Sequence, residues 1–275
     1  MTKDPFILMS APNGARMTQV DHPAVPLTAP ELADTAEQLV NAGVAVLHLH
    51  VRDQHGEHSL DVGRYRTAIA AIEDRVGDQL ILQVTTEAVG RYNRHQQMAL
   101  VRELKPEAVS LALRELCPDD SVLPEASDFF QEVLAQGTWP QYILYSAEDV
   151  NRFNQLRKLQ VFGEQRPFTL FVLGSYRDSA AGDPSALDDY VDNGEGSFPW
   201  AVCCFGDTES KAISRAYSLG GHARIGFENN HVLPDGRIAD DNRQLIDSTL
   251  SSLDSTTIKR SLATAAWVRQ LRGKL

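Results

Sequence analysis

Two hydrophobic rhythms take turns along this chain. Short apolar runs rich in Val, Leu and Ile read as buried strands. Longer stretches with apolar residues three and four apart read as amphipathic helices. Phe6-Ile-Leu-Met9 is the first run, and Ala11-Pro-Asn-Gly14 turns the chain after it. Thr28-Ala-Pro-Glu31 has the form of a capping box with proline in the first turn. The helix it opens carries Leu32, Ala36, Leu39 and Val40 on one face and stops at Gly43. A strand follows over 44–50. The same alternation predicts helices over 61–76, 93–104, 125–136, 147–159, 184–190 and 208–219. Between them it predicts strands over 80–85, 108–113, 141–145, 169–173, 200–205 and 223–227. Two helices finish the chain.

Eight strand–helix units with short connections predict a parallel sheet with helices outside it. In a chain of 275 residues that count favours an α/β (β/α)8 TIM barrel with extra C-terminal helices, forming a single domain over 1–275. No G-x-G-x-x-G follows the first strand, which argues against a dinucleotide-binding open sheet. The longest irregular stretch, Gly174 to Gly196, would lie after the sixth strand on the catalytic face, as a lid or as a plain surface loop.

Composition narrows the function. Hydrophobic residues make up 43% and charged residues 23%, enough to build a core without staples. Three cysteines exclude a disulfide scaffold. Cys203 and Cys204 are adjacent on a strand, so they point to opposite sides and cannot easily share one zinc. The 26 basic residues against 37 acidic ones give a formal charge of −11, which opposes a nucleic-acid or anionic-membrane partner. No leader-like segment and no membrane span is apparent, so a cytoplasmic protein is expected.

The sharpest chemical signal is His48-Leu-His50. Residues two apart on a strand face the same side. Both imidazoles therefore project together at the C-terminal end of the second strand, the end where barrel active sites are built. Two converging neutral imidazoles suit a zinc-like ion, which usually takes a third protein ligand and keeps one position open. Glu228, after Arg224-Ile-Gly-Phe at the end of the last strand, is placed to be that ligand; an ordinary helix-start glutamate is the plain alternative. Of the other histidines, His55 and His58 lie in the polar loop Gln54-His-Gly-Glu-His and are expected in solvent. His222 precedes its strand, away from the site, and His231 stands close enough in sequence to support Glu228.

The chain resembles the β-keto acid cleavage enzyme family, whose founding activity is 3-keto-5-aminohexanoate cleavage. The stretches that carry the resemblance are Ala11-Pro-Asn-Gly-Ala15, Asp21-His-Pro-Ala-Val-Pro-Leu-Thr28, Ala45-Val-Leu-His-Leu-His-Val-Arg-Asp53, Gln83-Val-Thr-Thr86, Phe171-Val-Leu-Gly174, Trp200-Ala-Val202 and Gly220-Gly-His-Ala-Arg-Ile-Gly-Phe-Glu-Asn-Asn230. The resemblance implies a TIM barrel, a divalent metal such as zinc, and reaction of a β-keto acid with acetyl-CoA as co-substrate, giving acetoacetate and a new CoA thioester. It implies His48, His50 and Glu228 as metal ligands, Arg224 as the catalytic arginine with Asn229 beside it, and Thr85 and Ser110 as hydroxyls that help hold the keto acid. It also implies a homo-oligomer, a tetramer.

Three departures from the family pattern stand out. Asn229 takes the place of an aspartate, and an amide is no base; another group or the substrate carboxylate must serve, or the chemistry is impaired. Arg16 stands where the amine-recognising member carries a glutamate, and Ile143 and Ser146 replace acidic residues. Arg16 and Arg114 therefore suit an anionic or neutral substrate. Ser175-Tyr-Arg-Asp178 replaces a Gly-Gly pair, altering the loop that would meet CoA or the substrate carboxylate. Two other readings remain open at the level of sequence: a metal-dependent hydrolase of the amidohydrolase type, and a catalytically impaired metal-binding barrel.

Overall fold

The alternation of strands and helices closes on itself. A computed structural model of the chain describes residues 4–163, 166–175, 181–193, 198–253 and 259–273. In chain order the elements are β1 (Leu8–Ser10), α1 (Ala29–Asn41), β2 (Val46–Leu49), β3 (Val51–Arg52), β4 (His58–Ser59), α2 (Val62–Val76), β5 (Ile81–Thr85), α3 (Arg94–Leu104), β6 (Ala108–Ala112), α4 (Leu113–Leu116) and α5 (Leu123–Ala135). They continue with β7 (Trp139–Leu144), α6 (Ala147–Lys158), β8 (Phe168–Leu173), α7 (Ala186–Asn193), β9 (Trp200–Cys204), α8 (Glu209–Leu219), β10 (His222–Ile225), α9 (Asn242–Leu253) and α10 (Ala265–Arg272). Strands β1, β2, β5, β6, β7, β8, β9 and β10 form a closed barrel in that order, with β10 returning to β1. Its neighbouring strands are parallel.

Local chemistry explains the elements. Thr28 and Glu31 complete a capping box at the start of α1, and Asn93 and Gln96 complete another at α3. Along each strand successive side chains face opposite sides. Met9, Val46, Ile81, Ala108, Trp139, Phe168 and Leu170 fill the barrel interior. Leu8, Leu47, Leu82, Val109, Tyr142, Phe171 and Val202 join the core against the helices. The adjacent cysteines divide the same way, Cys203 inward and Cys204 outward.

The last helix closes the N-terminal end of the barrel. Ala265 and Val268 of α10 join the interior cluster. Arg269 donates to the carbonyls of Asp78 and Leu80 just before β5 and pairs with Glu107 just before β6. Arg272 reaches the carbonyls of Glu107 and Gly137. The site is thus left to the opposite end.

One expectation is corrected here. His58 is buried rather than solvated. Asp53 bonds the backbone N–H groups of His55 and Glu57, and the Asp53 N–H donates to the Glu57 carbonyl. The resulting tight turn folds β4 back against β3, with His58 opposite Arg52. His222 is the first residue of β10 and accepts the Ile7 N–H at Nδ1. Of the stretch 174–196, residues 176–180 and 194–197, including Tyr176, Arg177 and Asp178, lie outside the described residues. Gly182 is tied to β9, its N–H donating to the Phe205 carbonyl.

Candidate active site

Parallel strands place their C-terminal ends around one mouth, and the polar residues gather there. His48 is opposite Gln83 in the β2–β5 pairing. Its Nδ1 lies 2.9 Å from Gln83 Oε1. Gln83 Nε2 in turn donates to Gln141 Oε1 at 3.2 Å, and Gln141 Nε2 points to the Met9 sulfur. That chain of donors fixes the proton on His48 Nδ1 and leaves the Nε2 lone pair facing the mouth.

His48 Nε2 meets His50 Nε2 at 3.0 Å. Glu228 Oε2 lies 3.6 Å from the first and 3.3 Å from the second. All three residues are buried. Burial holds both imidazoles well below their ordinary pKa, and Arg224 and neighbouring cations push the same way. Neutral imidazoles are the form that binds a cation. Ligand atoms about 2.0–2.1 Å from one tetrahedral ion stand about 3.3–3.4 Å apart. The observed triangle matches that spacing, so His48, His50 and Glu228 fit a single divalent ion.

Glu228 reaches this position through the turn after β10. Gly226 has φ 153°, and a Cβ there would meet the Ala11 carbonyl oxygen at 2.3 Å. Only glycine permits that approach. It lets the Glu228 N–H donate to the Ala11 carbonyl at 3.0 Å. Asn242 braces the same junction, accepting the Phe227 N–H and donating to the Pro12 carbonyl.

Arg224 is buried beside the triangle. Its Nη2 donates to Glu228 Oε1 at 3.0 Å and to Cys203 Sγ at 3.4 Å, and lies 3.5 Å from Asn229 Oδ1. Burial pushes the Cys203 thiol up to about 11, so it accepts this contact as a neutral thiol. Asn229 Nδ2 is buried with no hydrogen-bond partner among the described residues.

A cavity of ≈ 390 Å³ opens over these groups. Among its lining residues are His48, Arg224, Glu228, Thr85, Ser110, Arg16 and Arg114. The structure therefore brings the expected residues together, with His50 and Asn229 outside the lining, the first against His48 and the second beside Arg224. The Thr85 hydroxyl accepts the Glu87 N–H, while the buried Ser110 hydroxyl has no partner among the described residues. Arg16 and Arg114 are exposed at the rim, and Arg114 stacks 3.5 Å over the Tyr145 ring. His231 packs beside His22 and Phe227 instead of supporting Glu228.

Several contributors were not evident from the sequence. Asn13 donates to the His50 carbonyl, joining the loop after β1 to the histidine pair. Arg52 is buried and donates to the carbonyls of Asn13, Gly14, Ala15 and Met17, which caps the turn carrying Arg16. Glu87 and Glu115 also line the cavity. Tandem placement of Arg52 just after His50 was the one available signal; the others depend on register between distant strands.

Comparison with known proteins agrees with this picture. A family model described as "beta-keto acid cleavage enzyme" matches residues 5–273. The 3-keto-5-aminohexanoate cleavage enzyme of Fusobacterium nucleatum subsp. nucleatum is 27% identical over 271 residues, covering 97% of each chain. A 3-oxoadipate:acetyl-CoA acetyltransferase of Cupriavidus necator is 26% identical over 278 residues, covering 98% of this chain and 95% of that one. Among solved structures, apo ObcA has TM-score 0.69 at 17% identity over 91% of this chain, which spans 66% of ObcA's length. A type I 3-dehydroquinate dehydratase from Clostridium difficile has TM-score 0.58 at 11% identity, covering 93% of this chain and 94% of that one. These two likenesses concern the barrel fold. Among the described residues no helix is long and apolar enough to cross a membrane.

Proposed function

We propose, because the chain belongs to the beta-keto acid cleavage enzyme family, that it exchanges acyl groups between a β-keto acid and acetyl-CoA. The products are acetoacetate and a new CoA thioester, and a divalent metal, zinc or a similar ion, is required. The observation that carries this reading is the triangle of His48, His50 and Glu228 at the cavity mouth, with Arg224 beside it.

The roles follow from chemistry. A divalent ion on the triangle supplies Lewis acidity toward a substrate carbonyl oxygen. Arg224 binds the substrate carboxylate or a developing oxyanion, and a guanidinium in a buried setting does this strongly. The Ser110 hydroxyl donates to a keto-acid oxygen, and the Thr85 hydroxyl keeps its own proton for the same purpose while accepting the Glu87 N–H. Gln83 holds His48 in the tautomer that leaves Nε2 for binding. Asn229 orients Arg224.

The rim favours an acidic or neutral keto acid. Arg16 and Arg114 are exposed where a substrate side chain would enter. Glu115, the acidic neighbour of Arg114, is engaged by the Ala88 N–H and the Gln97 amide. The similarity to a 3-oxoadipate:acetyl-CoA acetyltransferase supports the same choice. A hydrolase of the amidohydrolase type is less well supported, because the later strands end in Tyr145, Gly174 and Phe205 instead of further ligands. Assembly as a cytoplasmic homotetramer belongs to the same reading and is measurable by sedimentation.

Purified protein with acetyl-CoA and a panel of β-keto acids tests the proposal. Acetoacetate is expected, with 3-oxoadipate preferred over 3-keto-5-aminohexanoate. His48→Ala should lose both bound metal and turnover. Metal content equal to wild type in that variant, or a tenfold preference for the amine (about 1.4 kcal/mol), would overturn the corresponding part.

A further inference from the structure

We propose that Glu87 is the general base of this site, taking a proton from C2 of the β-keto acid and returning it to the product. The inference rests on the function proposed above, in which a C–C bond is made and broken next to a carbonyl. Such chemistry needs a group that accepts a proton from carbon. Asn229, the residue against Arg224, is an amide and cannot accept one.

The cavity offers few carboxylates. Those among its described lining residues are Glu87, Glu115 and Glu228. Glu228 pairs with Arg224 and faces both histidines. Glu115 is held by the Ala88 N–H and the Gln97 amide. Glu209 is sealed beneath the site, accepting from Asn230, and does not line the cavity. No described residue hydrogen-bonds the Glu87 carboxyl group. Its backbone, by contrast, is clamped. The Glu87 N–H donates to Thr85 Oγ1 at 3.1 Å, and its carbonyl accepts from His58 Nε2 at 3.0 Å. A fixed backbone with an uncommitted carboxylate over the substrate cavity is what a general base requires.

The surrounding charges suit the task. Burial, Glu228 and Glu115 raise the Glu87 pKa, while Arg16 from the loop after β1 and Arg224 from β10 pull it down; the balance lies at about 7. Tyr65 of α2 and Tyr145 beyond β7 also face its charge, and both are held in the neutral phenol form, chiefly by burial. His58, pushed down to about 4, stays neutral beside it. A base is most effective with its pKa near the working pH.

The steps balance without any further reactant. Glu87 takes the C2 proton, and the C–H electron pair passes into the enolate. The enolate carbon attacks the thioester carbonyl of acetyl-CoA, forming a C–C bond and expelling CoA thiolate. The thiolate adds to the original keto carbon. The bond from that carbon to C2 then breaks, releasing the new thioester and the enolate of acetoacetate, which recovers the proton from Glu87.

The test is hydrogen–deuterium exchange at C2 of acetoacetate in D2O, followed by NMR with metal-loaded enzyme and no CoA ester. Wild type should accelerate exchange above buffer, with a rate that rises with pH as Glu87 loses its proton. Glu87→Gln should lower the catalysed exchange about 100-fold, with unchanged metal content and melting temperature. Glu87→Asp, which keeps a carboxylate, should retain part of it. Wild-type exchange no faster than buffer, or full exchange in Glu87→Gln, overturns the proposal. Exchange that depends on Glu87 without acetoacetate formation from acetyl-CoA would instead overturn the proposed overall reaction and leave this role standing.

Discussion

Asn229 shows how one atom decides a role. Its Oδ1 faces Arg224 and its Nδ2 is buried without a described partner. An aspartate there would add a charge beside Glu228, where Arg224 already serves one carboxylate. With Glu87 as base, Asn229→Asp should change kcat by less than about threefold. A gain of 100-fold, the usual worth of a general base, would place the missing function at residue 229 instead; steady-state acetoacetate formation reads the difference. The pairing of His48 with His50 was legible because strand spacing constrains it locally; Glu228 was a candidate from its place after the last strand, and Arg224 came from the family resemblance alone. His58 was misread because its neighbours are polar, whereas a five-residue turn folds it inward. Glu87, Gln83 and Asn13 were not legible, since each acts across a pairing that sequence distance hides.

Elements were more legible than contacts. Every barrel strand lies within two residues of its predicted place, because alternation of short apolar runs and amphipathic stretches is a strong local signal. The β3–β4 hairpin was missed, its strands being two residues each and their polarity typical of a loop. The function of α10 was also missed. Its buried Val268 looks like any residue on an amphipathic helix, yet it sits in the barrel-interior cluster. Val268→Ala removes two methyl groups from a closed interior and should cost roughly 2 kcal/mol. Urea unfolding measures this. A loss under about 0.5 kcal/mol would mean that α10 only rests against the barrel.

At the scale of the whole molecule, buried carboxyl groups make stability depend on pH. Burial raises Glu209 from 4.5 to about 8, against hydrogen bonds from Asn230 and Gly226 that lower it. Its folded pKa exceeds the unfolded one, so its contribution is fully present below pH 4.5 and is lost as pH rises through about 8. Glu209→Gln, shaped like the protonated acid, should remove that slope, which is at most about 1.4 kcal/mol per pH unit. Unfolding free energies of both proteins at pH 5 and pH 8 check it; parallel changes would contradict it. The α10 closure has a further consequence, in time rather than in energy. Arg269 grips Glu107 across 162 residues, and Arg260 grips the Asp4 carbonyl across 256. A ribosome supplies the two histidines early, Glu228 much later, and α10 after both. All the residues of the candidate site are therefore in hand before the helix that covers the opposite end of the barrel, so the mouth does not wait on its floor for its parts.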